Sequence, residues 1–122
     1  MVSVDKVRET ISRIMDEVPT IEGIIVSKVN GQIVAAQTIT HFEEAVLQSF
    51  VRQILDSARL LASASSSVKK GVLRDVLVNS SKGSFLMVGV SDIVIISLVG
   101  IDGKPHIALI RKKLEAILKQ LT

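Results

Sequence analysis

The chain has no cysteine, no tryptophan and no tyrosine, and its 122 residues include only two prolines, two histidines and three phenylalanines. Without cysteine there is no disulfide framework, and no thiolate to hold a metal or attack a substrate. Phe42, Phe50 and Phe85 offer little for stacking on bases, and a net charge of +3 is a weak attraction for phosphates, so no nucleic acid is expected as a partner. No apolar run reaches the ~20 residues of a membrane span, so no membrane insertion is expected. Asp5, Lys6, Arg8 and Glu9 break the start of the chain early, unlike the apolar core of a secretory leader. The cytoplasm is the expected compartment.

Chemistry is scarce as well. Gly31, Gly71 and Gly103 are isolated turn glycines, and no Gly-rich phosphate loop is present. His41 and His106 each stand beside an expected helix start with no second ligand nearby, which suits capping or a surface role better than a metal or a proton shuttle. Asp75 and Asp92 read as strand-edge protection and turn formation rather than as a carboxylate pair. Ser63 and Ser65 to Ser67 have no base placed near them. The basic pairs and triplets at Lys69-Lys70 and Arg111-Lys112-Lys113 read as solvated faces. No catalytic residue, no metal site and no cofactor is expected, and the chain is not expected to be an enzyme.

What is present is apolar periodicity, with 48% hydrophobic residues, enough for one compact domain over residues 1–122. Residues 3–17 repeat Val4, Val7, Ile11 and Ile14 at helical spacing, with Ser3 as N-cap and Pro19 as the stop. Residues 21–37 read as a hairpin around Asn30-Gly31, a pair suited to a two-residue type I′ turn. Ile24 and Val26 fall on one face and Ile25 and Val29 on the other, so both faces need cover. Residues 72–79, 84–90 and 93–99 read as a three-stranded meander, with turns at Ser81-Lys82-Gly83 and Ser91-Asp92. Arg74 and Asp75 put the first of these strands at an edge. Gly100 to Gly103 turn the chain. Pro105 opens a last helix striped by Ile107, Ile110, Leu114, Ile117 and Leu121. The fold class is α+β, a five-stranded antiparallel sheet with helices on both faces.

Residues 40–63 form the organising element, one long helix between the two strand blocks. Thr40 and Glu43 are spaced as a capping box, and the small polar residues 62–67 read as its frayed end or a loop. On a helical wheel its apolar arc is roughly 180° wide, against the ~100° that one core needs. Val46, Phe50, Ile54 and Leu61 carry the aromatic and are assigned to the core. Leu47, Val51, Leu55, Ala58 and Ala62 are left over as a second stripe. Together with the edge-strand residues Val72, Arg74, Val76 and Val78, that stripe is the expected interface of a homodimer.

Gly23-Ile24-Ile25-Val26-Ser27, Asn30-Gly31, Ala35-Ala36, the long helix and the charged first strand of the meander together resemble the roadblock family, named for dynein light chains. The resemblance covers essentially the whole chain. It implies the long central helix on one face of the sheet and the N- and C-terminal helices on the other. It implies dimerisation through the long helices and the first meander strands, with itself or with a roadblock-like paralogue. It also implies a non-enzymatic platform that docks a small Ras-like GTPase, or else a purely structural adaptor subunit of a motor- or membrane-scaffold-type complex. By the same resemblance, Gln48, Arg52, Asp56 and Arg59 on the polar arc are the expected partner-binding residues.

Overall fold

A computed structural model describes residues 3–90 and 92–121, the side chain of Val90 excepted. The first helix, α1, runs Val4–Glu17. The Ser3 hydroxyl accepts from the Lys6 N–H at 3.3 Å as the expected N-cap. The Val18 N–H closes the last turn on the Ile14 carbonyl, and Pro19 follows. Strands β1 (Ile21–Lys28) and β2 (Ile33–Thr38) form the hairpin. The long helix α2 is Glu44–Ser67, and the meander is β3 (Asp75–Ser80), β4 (Gly83–Val90) and β5 (Ile93–Gly100). A 3-10 helix, Ile101–His106, stands where a simple turn is expected, and α3 follows at Ile107–Leu121.

The five strands form one antiparallel sheet in the order β2-β1-β5-β4-β3. The central strands are apolar on both faces, as buried strands must be. Ile24, Val26, Leu86, Val88 and Ile95 point to one side, where Val7, Ile11 and Ile14 of α1 and Ile110, Leu114 and Ile117 of α3 cover them. Ile25, Met87, Val94 and Ile96 point to the other, where Val51 and Leu55 of α2 meet them. The two terminal helices thus share one face and the long helix has the other to itself. At the tight crossing of β1, a Cβ on Gly23 would stand 2.9 Å from the Thr38 methyl and 3.2 Å from Leu98, so only glycine fits there without a shift.

Four local expectations are corrected. The hairpin loop has three residues, not two. The Lys28 N–H reaches the Gln32 carbonyl at 2.9 Å and the Gly31 N–H reaches the Lys28 carbonyl at 3.0 Å. Gly31 alone takes positive φ, at 94°, while the Asn30 side chain accepts from the Gln32 N–H at 2.9 Å. A register shift between Val26 and Ser27 absorbs the extra residue. Secondly, the capping box does not form. The strand continues past Thr38, with the Ile39 N–H on the Glu22 carbonyl at 2.9 Å, and Thr40 accepts from the Thr38 hydroxyl at 2.6 Å. Those bonds hold residues 39–43 outside the helix, whose N-cap is Glu43 without a side-chain bond.

The third correction is at the other end of α2. The serine run expected to fray stays helical to Ser67. The Lys69 N–H reaches the Ser66 carbonyl at 3.0 Å and the Lys70 N–H reaches the Ser65 carbonyl at 2.9 Å. That is a Schellman ending, with Lys69 in the left-handed position at φ 59° where glycine is usual. The fourth concerns β3, which starts at Asp75, so Val72 and Arg74 precede the strand rather than lying in it. β3 is an edge strand, as its charges suggested. The expected turn at Ser91-Asp92 includes Ser91, which lies outside the described residues; the Asp92 carbonyl accepts from the Val29 N–H at 3.0 Å.

Candidate interaction surface

The surface is built on α2. At 1.5 Å per residue its 24 residues span about 36 Å, while the eight-residue strands it packs on, β1, β4 and β5, span about 27 Å. The helix overhangs its support, and only Val51 and Leu55 are buried along it. Leu47, Phe50, Ile54 and Ala58 are half-buried at the margins of that contact, and the Phe50 ring meets Phe85 edge-on at 5.3 Å between centroids. Val46, Leu60 and Leu61 remain 52%, 75% and 45% exposed.

The two apolar stripes are therefore partly exchanged relative to the sequence reading, while Phe50 and Ile54 keep a half-buried place against the sheet. Val51 and Leu55, expected in the second stripe, face the sheet, with Leu47 and Ala58 at the margins. Val46 and Leu61, expected in the core, face outward. The contacts that set this rotation are Val51 and Leu55 on Ile25, Met87, Val94 and Ile96, with Phe50 at the rim beside Phe85. Leu60 was missed, because on the wheel it falls among the polar residues. The sign that could have found it is a leucine flanked one turn away only by Asp56, Ser57, Ser63 and the small Ala64.

The polar arc is only partly free. The Arg59 guanidinium donates to Asp56 at 2.7 Å and to the Val29 carbonyl at 3.0 Å, so these two residues brace the helix against the end of β1. Arg52 lies over the hairpin loop, its Cγ 3.6 Å from where a Cβ on Gly31 would be, and it is exposed. Gln48 is half-buried, one turn before Arg52.

Beside the outward stripe lies β3, with no strand beyond it among the described residues. Val76 and Val78 sit half-buried on its α2 side, and Leu77 is exposed on the other. Asp75 pairs with Arg111 of α3 at 3.4 Å, which ties the start of this edge strand to the opposite layer. Val72 and Arg74 are exposed at the mouth of a cleft of about 500 Å³ under the C-terminal half of α2, between Leu55, Ala58, Ala62, Met87 and Val94.

The histidines are apart from each other and from any acid cluster. His41 lies 3.9 Å from Glu43 at the surface, and His106 lies 3.4 Å from the Thr20 hydroxyl. Among the described residues no three His, Asp or Glu side chains gather as a metal site, and no helix is long and apolar enough to cross a membrane. At Glu17 the hydrogen bond from Lys113 at 2.9 Å holds the carboxyl below its usual value, with Arg13 adding to the effect. It joins α1 to α3 at the surface and has no part in a site.

No protein-family profile matches the sequence, and no curated protein matches it. Solved structures do. A Roadblock/LC7 domain from Streptomyces avermitilis superposes with a TM-score of 0.80 at 14% identity, covering 93% of this chain and 92% of that one. Myxococcus xanthus MglB superposes at 0.81 with 14% identity, covering 96% and 92%. An MglB with a tetrameric arrangement superposes at 0.76 with 6% identity, covering 98% and 86%. At such identities the agreement is one of backbone architecture and connectivity, and on that ground the chain has the roadblock/LC7 fold.

Proposed function

We propose that residues 1–122 form one roadblock-like unit that works as a dimeric, non-enzymatic binding module in the cytoplasm and docks a small Ras-like GTPase. The observation that carries the reading is the outer face of α2. A helix of 24 residues with two buried leaves Val46 and Leu61 in water, next to an edge strand with unpaired backbone groups. A two-fold axis would cover both at once, the same patch meeting itself. The interface on this reading is Val46, Phe50, Ile54 and Leu61 with Val76 and Val78 of β3. Val51 and Leu55 support it from beneath. The tetrameric arrangement of one MglB supports self-association in this fold as a precedent.

The GTPase comes from the family resemblance, and the paired α2 helices are where it would sit. Arg52 and Leu60 are the exposed anchors there, while Arg59 and Asp56 fix the helix to β1. Sedimentation of wild type and Leu61→Glu tests the dimer. Wild type should be a dimer at tens of micromolar and the variant a folded monomer; a monomeric wild type counts against the reading. Capture of purified Ras-like GTPases, loaded with GDP or GTP, tests the partner. Capture that depends on the nucleotide and weakens in Arg52→Ala supports a GTPase module. Capture by neither form removes the GTPase and leaves a structural adaptor.

A further inference from the structure

The sheet has a second free edge, and the proposed dimer does not use it. We propose that β2 takes up an extended peptide segment of a partner protein as a sixth strand, one with alternating apolar residues and a basic residue beside its contact with Ile39.

The two edges differ in how they are guarded. β3 opens with Asp75 and is preceded by Arg74, charges that discourage stray pairing. β2 is Ile-Val-Ala-Ala-Gln-Thr, with no charge and no proline, and no strand lies beyond it among the described residues. Its irregularity is confined to the loop end, at Val26/Ser27. From Ala35 to Thr38 it stays in register with β1, and the Ile39 N–H continues the ladder on Glu22. In an antiparallel pair inward and outward bonding alternate. Since Ile39 bonds inward, Gln37 and Ala35 do too, and Ala36 and Thr38 present their N–H and C=O groups outward. That is an unguarded row of backbone donors and acceptors, which is what strand addition requires.

The surroundings describe the occupant. Ile39 is 68% exposed and Phe42 is exposed three residues on, apolar surface for alternate side chains of an added strand. From Gln32 to Phe50 the chain carries no Lys or Arg, and its only carboxylates are Glu43 and Glu44, both exposed beyond the end of β2. The charge there suits a basic residue. A second folded copy fits less well. Edge-to-edge contact over about 20 Å of strand falls short of the ~1,200 Å² that stable protein interfaces bury. A flexible segment can instead follow the edge and then bend over Ile39 and Phe42.

The test titrates the isotope-labelled full chain with a soluble synthetic peptide of alternating valine and threonine led by two lysines. The same peptide led by two glutamates is the control. The lysine-led peptide should protect the Ala36 and Thr38 amides from hydrogen exchange and leave β3 amides unchanged. The control should bind about ten-fold more weakly. Ala36→Pro, which removes an outward N–H and no internal bond, should lose about ten-fold in affinity or more. Protection mapped to β3, no protection at Ala36 and Thr38, or equal binding by both peptides overturns the proposal. So does a fall in oligomeric state on Ala36→Pro without any peptide binding, because a second copy would then hold the edge. If Ala36→Pro fails to fold, the wild-type protection map decides alone.

Discussion

The two faces of the sheet are covered to different degrees. On one, α1 buries five of its 14 residues and α3 four of its 15, and the two helices are joined at the surface by Lys113 and Glu17. On the other, α2 buries two of its 24. The first face is finished by the chain itself. The second is held by Val51 and Leu55 over Ile25, Met87, Val94 and Ile96, with aromatic packing at one margin and Arg59 bracing the other. A helix of this length cannot be hidden by a sheet shorter than itself. Its excess apolar surface is what the proposed dimer would cover.

The sharpest way to break this comparison is to put a charge on each side of α2. Val51→Glu would bury an unpaired carboxylate under the helix and should cost about 3–5 kcal/mol, enough to unfold much of the protein. Leu61→Glu should leave the melting of the monomer nearly unchanged. Circular dichroism melts of both variants decide it. A folded, stable Val51→Glu would return that residue to the outer stripe.

Truncation on the two faces should differ in the same direction by a smaller amount. Leu114→Ala on α3 removes a side chain with no exposed surface and should cost about 2–5 kcal/mol in urea unfolding. Leu61→Ala, measured at concentrations where the protein is a monomer, should stay within about 0.5 kcal/mol. Similar costs would mean that the α2 face is as tightly packed as the other.

The C-terminal end of α2 offers a change in the opposite sense. Lys69 holds a left-handed conformation inside a Schellman ending, so Lys69→Gly should stabilise the protein by about 0.5–1 kcal/mol. Thermal unfolding reads it, and a lower melting temperature would deny that ending.

The smallest effect belongs to the seam of the closed face. Lys113 holds the Glu17 carboxyl below its ordinary value. The folded state therefore gains from the charged form, a gain fully present above the ordinary carboxylate range and lost as pH falls through the lowered value. Wild type should be slightly more stable than Glu17→Gln near neutrality, and the difference should vanish in acid. A difference that grows on acidification would reverse the assignment.

Much of this was readable from the residues. Element order followed from periodicity, because period two and period 3.6 are written plainly in 21–29 and 4–18. The closed face was legible from Ile110 and Leu114, which lie on an apolar row with polar residues opposite, and from Ile24 and Val26, which share one face of a strand apolar on both. The excess width of the α2 arc was legible too. What could not be read was the rotation of α2 about its axis. With apolar residues around half the wheel, several rotations bury a stripe, and the pattern alone does not choose among them. The helix ends and the hairpin loop were equally out of reach, because Thr40 and Asn30 each satisfy a local motif that a bond to a neighbour distant or adjacent in the fold displaces. By itself, then, the sequence determined which segments become helix or strand and that one helix has more apolar surface than a single core can use. Only the tertiary structure decided which side of that helix faces the sheet and which edges stay open, because those depend on side-chain volumes meeting across elements far apart in the chain.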